Sequence, residues 1–429
     1  EPVTAADFVY SFRRILDPAT GAKYAEVLFP IRNAAAVNRG QVPVDALGVV
    51  AEAPLELAIT LEQSTPYILE LLTHQTALPV HRASVERHGE AFTRPGNYVT
   101  NGAYRLRDRV PGGAISLEPN PHHPDAASLA IRQVDFLPTP DMASAVRRYA
   151  AGEIDSLADL PVDQIADLRR RFGPQVVLGP SLGLAALVVN TRKAPFSDRR
   201  IRQALSLVID REYLADGLNG GTMSPAYSLC PPGLDNYRTP PETEGRLGLP
   251  IDHEAEARRL LAEAGYGPDR PLTVEYRFNV SDNNRTIAVA IGEMWRDLGI
   301  VTRYVYTDAK THFAYLRDGG DFDVARYSWI ADYSDPQNFL FLLQSGNDGM
   351  NAGHWANPAY DALMAKAAAE RDLARRAGLL YDAEVIALRE LPWIPLMHYR
   401  SKALIAPRLH GYHPNLRNAA PTRFLRLDA

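Results

Sequence analysis

Residues 272–306 read LTVEYRFNVSDNNRTIAVAIGEMWRDLGIVTRYVY, and this stretch decides the fold class. Residues 272–278 and 300–306 are rich in β-branched and aromatic residues, which is typical of strands. Gly299 stands just before the second strand, where a helix commonly ends. A strand, a helix and a second strand in this order predict a βαβ unit with parallel strands. The helix is predicted from apolar residues that recur at helical spacing: Ile287, Ile291, Met294, Trp295 and Leu298.

The same alternation of strands and helices continues on both sides of this unit. Residues 184–189 form a continuous apolar run, as expected for a strand that is buried on both faces. Asp252 stands where the N-cap of a helix is expected. An apolar stripe at helical spacing follows it, and Gly265 ends the predicted helix. We therefore predict an α/β protein with a mixed or parallel sheet. Residues 322–329 give a further strand pattern, and helix patterns cover 198–207, 211–218, 312–317, 360–368 and 373–388.

The composition excludes several classes of protein. The chain has 429 residues, of which 46% are hydrophobic, so two or three domains with substantial cores are expected. The net charge of −5, without a clustered basic face, argues against a nucleic-acid binder. The single cysteine, Cys230, excludes an intramolecular disulfide and a cysteine-based metal site. No apolar run is long enough for a membrane helix, and no signal peptide opens the chain.

The sequence lacks the motifs that identify common enzyme classes. It has no glycine-rich loop for a dinucleotide or a phosphate, no nucleophile elbow and no zinc-protease helix motif. His122 and His123 stand between prolines, where a solvated turn is a simpler explanation than a metal site. His74, His81 and His398 have no local partner of catalytic type. We therefore assign no catalytic residue, no metal ligand and no cofactor.

Residues 320–336, GDFDVARYSWIADYSDP, carry the strongest signal for a binding site. A strand pattern gives way here to Trp329, Asp332, Tyr333 and Asp335. An acid just past the C-terminal end of a strand lies where ligand crevices form in α/β domains. Aromatic neighbours exclude water and strengthen its attraction for a cation. Alternatively, Asp332 or Asp335 only caps a helix over 336–343, and the local sequence leaves both interpretations open.

Further motifs occur in order along nearly the whole chain: TAADFVYSFRR (4–14), VTNGAYRL (99–106), GEID (152–155), NTRKAPFSD (190–198) with IRQAL (201–205), LLAEAGY (260–266), WIADY (329–333) and PWIPL (392–396). Together they resemble the family 5 extracellular solute-binding proteins. Within this family the chain is most similar to the oligopeptide-binding proteins, including the branch that accepts murein peptide. The resemblance implies the two-lobed periplasmic binding-protein fold (type II, peptide-binding class) with an extra small domain.

The resemblance also implies a division into three parts. Residues 1–80 would form the small inserted α/β domain, which is N-terminally incomplete. Residues 81–186 and 402–429 would form lobe I, and residues 187–401 would form lobe II, which binds the peptide. Two crossing segments would act as a hinge between the lobes. Members of the family carry a signal peptide and early strands ahead of the position of Glu1, so we expect this chain to be a truncated copy.

The resemblance assigns the main contacts with the ligand. Asp332 would pair with the α-ammonium of a peptide, and Trp329 would enclose the pair. The ammonium is mostly charged at neutral pH, so a carboxylate is a suitable partner. The backbone from Ser328 to Ile330 would pair with the extended ligand as an added strand, which gives affinity without reading side chains.

Other positions match residues that line the pocket in the family. Asn279 falls at one such position, and Arg326 and Arg317 at two others. Either arginine can offer a fork of donors to a carboxylate. Alternatively, each arginine forms a surface ion pair with a neighbour such as Asp318 or Asp323.

The chain departs from close oligopeptide binders at several pocket positions. A disulfide that joins the pocket segment to a neighbouring strand in relatives is absent, because its positions are Ile330 and Gly183. Asn284 replaces a histidine that meets the C-terminus of the ligand, and Lys310 replaces an aromatic wall residue. We therefore expect a different preference for ligand length or side chains. The cationic side chains would suit a ligand with additional carboxylates, such as a murein-type peptide.

These observations give one main functional hypothesis and two alternatives. The chain would be the substrate-binding component of an ABC transporter, periplasmic or lipid-anchored, which captures a short peptide in a closing cleft. It would deliver the peptide to the permease and ATPase complex at the inner membrane, as a monomer without nucleic acid, metal or cofactor. The first alternative is an extracytoplasmic peptide sensor for a signalling partner. The second is a hydrolase, for which no nucleophile and base are visible.

Overall fold

The computed structural model describes residues 1–139, 141–241, 252–347 and 349–428. The chain forms two compact units. The finer division at residues 80 and 186 that the resemblance implies stays a prediction. The first unit comprises Glu1–Ala158, Ala403–His413 and Ala419–Ala429, and the second unit comprises Asp159–Lys402 and Pro414–Asn418.

The first unit is built from short elements that follow its N-terminal helix, α1 (Ala5–Leu16). The backbone N and the hydroxyl of Thr4 both donate to the carboxylate of Asp7, at 2.7 and 2.9 Å, and so fix the start of α1. Phe12 and Leu16 are buried on its inner face. The other elements are α2 (Ala34–Asn38), β1 (Val49–Ala53), β2 (Glu56–Ile59), α3 (Ile68–Leu71), α4 (Arg82–His88), β3 (Tyr104–Arg109), β4 (Ile115–Pro119), β5 (Val134–Phe136), α5 (Met142–Ala150) and β6 (Ser156–Leu157).

The strands of the first unit pair mainly with their neighbours in sequence. β1 and β2 form a hairpin, and β3, β4 and β5 form an antiparallel sheet. Near the C-terminus, β13 (Leu409–His410) pairs with β14 (Arg426–Leu427). This pattern of short antiparallel pairs contrasts with the second unit.

A mixed sheet forms the centre of the second unit. Its strands lie in the order β10-β9-β11-β7-β12, with β8 paired to β12. β9 runs parallel to both β10 and β11, whereas β7 runs antiparallel to β11. The parallel β9–β10 pair confirms the βαβ unit predicted from residues 272–306. The strands are β7 (Val176–Val189), β8 (Met223–Pro225), β9 (Thr273–Asn279), β10 (Val301–Thr307), β11 (Val324–Ile330) and β12 (Trp393–Ile405), the last of which ends in the first unit against β6.

Helices cover both faces of this sheet. Leu187 and Val189 of β7 enter one hydrophobic core, whereas Ala186 and Val188 enter the other. Burial on both faces explains the continuous apolar run of this strand. No helix in the described residues is both long and apolar enough to cross a membrane. The helices are α6 (Ile165–Phe172), α7 (Arg199–Leu207), a π-helical segment (Tyr213–Leu218), α8 (His253–Glu263), α9 (Asp282–Asp297), α10 (Ala309–Arg317), α11 (Gln337–Leu340), α12 (Pro358–Ala369) and α13 (Leu373–Glu390).

The helix α9 connects the parallel strands β9 and β10. The hydroxyl of Ser281 caps its first turn by accepting a hydrogen bond from the backbone N of Asn284 at 3.1 Å. The predicted apolar stripe is largely buried, and the indole Nε1 of Trp295 donates to the carbonyl of Leu205 at 3.0 Å. The cap at Ser281 fixes where α9 begins, and Trp295 holds the helix against α7.

A buried carboxylate joins α13 to the loop that follows β8. Glu384 is fully buried and accepts hydrogen bonds from the backbone N of Leu229 and Cys230, at 2.6 and 2.8 Å, and from the hydroxyl of Tyr237. Burial raises the pKa of the Glu384 carboxyl and that of the Cys230 thiol. The single cysteine of the chain is therefore a protonated core residue.

Two buried histidines should make the second unit sensitive to acid. Burial lowers the pKa of both His312 and His398 to about 4, against an ordinary value of 6.5. The unfolded chain therefore takes up these protons first, so stability is complete above pH 6.5 and falls as the pH drops toward 4. The loss is on the order of 3 kcal/mol for each histidine.

Urea unfolding at pH 7 and at pH 4.5 measures this loss. All four tryptophans lie in the second unit, so their fluorescence reports on it alone. A His398→Gln variant should lose about 2 kcal/mol less than the wild-type protein between the two pH values. Equal losses in the two proteins would show that His398 does not contribute to the acid sensitivity.

Candidate functional site

One edge of β11 is unpaired over its second half. β9 pairs with β11 only at Val324 and Ala325, whereas β7 pairs along the whole strand, from Val324 to Ile330. From Arg326 onward, no strand in the described part of the chain lies against the edge that faces away from β7. This leaves backbone donors and acceptors available to an added strand.

The direction of each backbone group follows from the ladder between β7 and β11. The backbone N of Ala331 donates to the carbonyl of Leu182 at 2.8 Å, and the backbone N of Asn190 donates to the carbonyl of Asp323 at 3.0 Å. The odd-numbered residues of β11 therefore direct their backbone N–H and C=O groups toward β7. Because N–H and C=O groups alternate sides along a strand, those of Ser328 and Ile330 point to the open edge. The residues predicted to pair with the ligand backbone therefore direct their donors and acceptors to the open edge.

Trp329 and Asp332 lie together at the end of β11. The indole Nε1 of Trp329 donates to Oδ1 of Asn338 at 2.9 Å, and the backbone N of Asp332 donates to the same oxygen at 3.2 Å. Trp329 also packs edge-on against Phe341, with ring centroids 5.9 Å apart. Asp332 is half-buried, and Asn338 is buried. The buried amide of Asn338 therefore positions both residues, a role that sequence reasoning missed.

The capping alternative applies to Asp335 rather than to Asp332. Oδ1 of Asp335 accepts from the backbone N of Gln337 at 2.9 Å. The same carboxylate is held by both terminal nitrogens of Arg376, at 2.7 and 2.8 Å, and both side chains are buried. Asp335 is thus a structural anchor for the segment that follows Asp332.

Three of the predicted site residues come together at the splay between β9 and β11. Nη1 of Arg326 donates to Oδ1 of Asn279 at 2.9 Å, and Nδ2 of Asn284 donates to the carbonyl of Asn279 at 2.9 Å. Nη2 of Arg326 also reaches the hydroxyl of Tyr399 at 3.2 Å. A cavity of about 240 Å³ lies beside this cluster, and its lining includes Arg326, Asn284, Tyr399 and Lys402.

The charge of Arg326 is directed at neutral partners. Within the described residues, the guanidinium hydrogen-bonds to Asn279 and Tyr399, which are uncharged side chains. Asp323, which the sequence offered as an alternative partner, is held by Lys193 at 2.9 Å and by the backbone N of Glu275 at 2.8 Å. The arginine can therefore accommodate an anionic group from outside the chain.

Arg317 and Lys310 lie apart from this cluster. Both are exposed on α10, and Nε of Arg317 is 3.7 Å from Oδ1 of Asp318. Neither residue lines the cavity at Arg326. Their assignment to a ligand pocket stays a prediction.

Ile330 and Gly183 are directly opposite each other on β11 and β7. An added Cβ at Gly183 would collide with the side chains of Ile330 and Tyr399. The side chain of Ile330 thus fills the space that glycine leaves, where relatives were expected to carry a disulfide.

Arg326, Ser328, Trp329 and Asp332 follow one another along β11 and just past its end, and supply a cation, an open strand edge, an aromatic ring and an acid. Such a geometry suits an extended ligand that is held through its main chain, with opposite charges near its two ends. Together with the α/β fold, it is typical of the class of ligand-binding proteins. A family model described as bacterial extracellular solute-binding proteins, family 5 Middle, matches residues 1–351. The chain belongs to the family 5 extracellular solute-binding proteins.

Relatives and solved structures agree with this assignment. The chain is 37% identical to the periplasmic oligopeptide-binding protein OppA of Escherichia coli, over 96% of this chain and 76% of OppA. It is 36% identical to the periplasmic murein peptide-binding protein MppA of the same organism, over 96% and 77%. The structure of Haemophilus influenzae OppA in complex with RPPGFSPFR has a TM-score of 0.80 at 31% identity, over 100% of this chain and 84% of that one. The predicted family and fold class are confirmed.

Proposed function

We propose that this protein is the substrate-binding component of a bacterial ABC importer and that it captures short peptides. The observation that carries the proposal is the open edge of β11 at Ser328 and Ile330. An extended peptide can add there as a further strand, and main-chain pairing binds peptides of many sequences. The names of the relatives OppA and MppA, which refer to oligopeptides and murein peptide, support the same ligand class.

The charges beside the edge give the peptide a direction. Asp332 lies just beyond the C-terminal end of β11, and Arg326 lies two residues before Ser328. The α-ammonium of the ligand would meet Asp332, with Trp329 excluding water from the pair. The ligand would then run antiparallel to β11, with its carboxyl end toward Arg326 and Asn284. Cationic groups on that side favour peptides with additional carboxylates.

Partners and location follow from this role. The protein would reside in the periplasm or be tethered outside the cytoplasmic membrane, and would pass its peptide as a monomer to a permease and ATPase complex. It would carry out no catalysis and would need no metal or cofactor. The closing of two lobes around the ligand, and the assignment of Arg317 to the pocket, are parts of the same proposal. The sensory alternative differs only in the partner that reads the bound state.

Native mass spectrometry of the full-length protein tests the proposal. We expect peptides of a few residues to co-purify with the protein and to exchange with added peptide. Competition by titration calorimetry should then rank acidic peptides above neutral peptides of equal length. A protein that carries no peptide, and that binds none in calorimetry, would refute the proposed function.

A further inference from the structure

A buried histidine lies at the point where β9 and β11 separate. His312 of α10 is fully buried, and its Nε2 is 2.8 Å from the carbonyl oxygen of Arg326. A carbonyl can only accept a hydrogen bond, so Nε2 carries the hydrogen and donates it. Burial, with the charges of Arg326 and Arg277 nearby, lowers the pKa of His312 to about 4, so the ring is neutral at physiological pH.

The carbonyl that His312 occupies is the next acceptor of the strand edge. The last parallel pair between the two strands is Ala325 with Arg277. Even-numbered residues of β11 direct their backbone groups away from β7, so the carbonyl of Arg326 would be the first acceptor in line after β9 departs. His312 satisfies it instead, and the open groups begin at Ser328.

We propose that His312 is a positioning residue that ends the backbone ladder and sets how much of a bound peptide is read through its main chain. This inference rests on the proposed function. With the carbonyl of Arg326 occupied, the main-chain groups of β11 that a ligand strand can pair with are those of Ser328 and Ile330. Along the edge of β11, main-chain recognition is then confined to the ligand residues that face positions 328–330.

Ester substitution in the ligand tests this proposal directly. Alanine peptides of five to seven residues are prepared with one amide at a time replaced by an ester, which removes a single N–H donor. N–H groups alternate sides along an extended ligand, so only every second amide points toward β11. Calorimetry with the wild-type protein should show no more than two sensitive positions in this alternate set. Each sensitive position should weaken binding by about tenfold, as expected for one lost backbone hydrogen bond.

Variants of His312 locate the end of the ladder. In His312→Ala, the carbonyl of Arg326 becomes available, so the position two residues beyond the last sensitive one should also become sensitive. His312→Gln, whose side-chain amide can donate to the same carbonyl, should restore the wild-type pattern. His398 is also buried and donates to the carbonyl of Ser228 at 3.1 Å, so His398→Ala is the matched control and should keep the wild-type pattern.

The outcomes separate the two proposals. Three or more sensitive positions in the alternate set that points toward β11 would overturn the role of His312, and so would a His312→Ala protein that binds without a new sensitive position in that set. If His312→Ala does not fold, the wild-type scan decides by the number of its sensitive positions. Absence of any peptide binding by the wild-type protein would instead overturn the proposed function.

Discussion

Replacing Asp332 by alanine should weaken the binding of an unmodified short peptide by about 2–5 kcal/mol, the range for removing one partner of a desolvated charge pair. This corresponds to an increase in Kd of about 30-fold to several thousand-fold. The expected loss is large because the ligand ammonium would remain enclosed beside Trp329 without a counter-charge. The backbone contacts at Ser328 and Ile330 would persist, so binding should be weakened rather than abolished.

Titration calorimetry with a modified ligand isolates this interaction. N-acetylation of the peptide removes the ammonium and should cost the wild-type protein about as much as the mutation does. The Asp332→Ala protein should distinguish little between the free and the acetylated peptide, because the pair is already broken. Asp269→Ala, at an exposed position of the second unit, is the matched control. Unchanged affinity in Asp332→Ala would remove Asp332 from the site.

Much of the second unit could be predicted from local sequence patterns. The parallel pair β9–β10 and the helix between them follow from the periodicity of residues 272–306. The length of β7 could not be predicted in the same way. The strand begins at Val176, eight residues before the apolar run, and a Cβ at Gly179 within this part would collide with Pro414 and Ser401. Such glycines interrupt a strand pattern for reasons that lie in distant segments.

Local sequence patterns likewise identify only part of the candidate site. Asp332 and Trp329 lie close together in sequence, and the motif WIADY (329–333) identified both. The cluster around Arg326 depends on contacts with Asn279 and Tyr399, which are 47 and 73 residues away. Tyr399 lies in a strand pattern that has no feature of a binding site. Its role could be found only once β12 was placed near β11 in the sheet.

The ion pair between Asp335 and Arg376 could not be predicted from local sequence either, because the two residues are 41 positions apart. Replacing Arg376 by methionine should destabilise the second unit by about 3–5 kcal/mol, because the buried carboxylate of Asp335 would lose its counter-charge. Urea unfolding followed by tryptophan fluorescence measures this loss. Because Asp335 holds the segment after Asp332, the loss would fall on the element that carries the proposed ammonium partner.

Two further variants distinguish a buried charge pair from a general effect of the substitution. Arg375 precedes Arg376 on α13, but its side chain is 70% exposed and pairs with Glu370 at the surface. Arg375→Met should therefore cost less than about 1 kcal/mol. Combining Arg376→Met with Asp335→Asn removes the unpaired charge while an amide can still cap α11, so the double variant should be more stable than Arg376→Met alone. If Arg376→Met costs no more than Arg375→Met, then the Asp335–Arg376 pair does not stabilise the segment that follows Asp332.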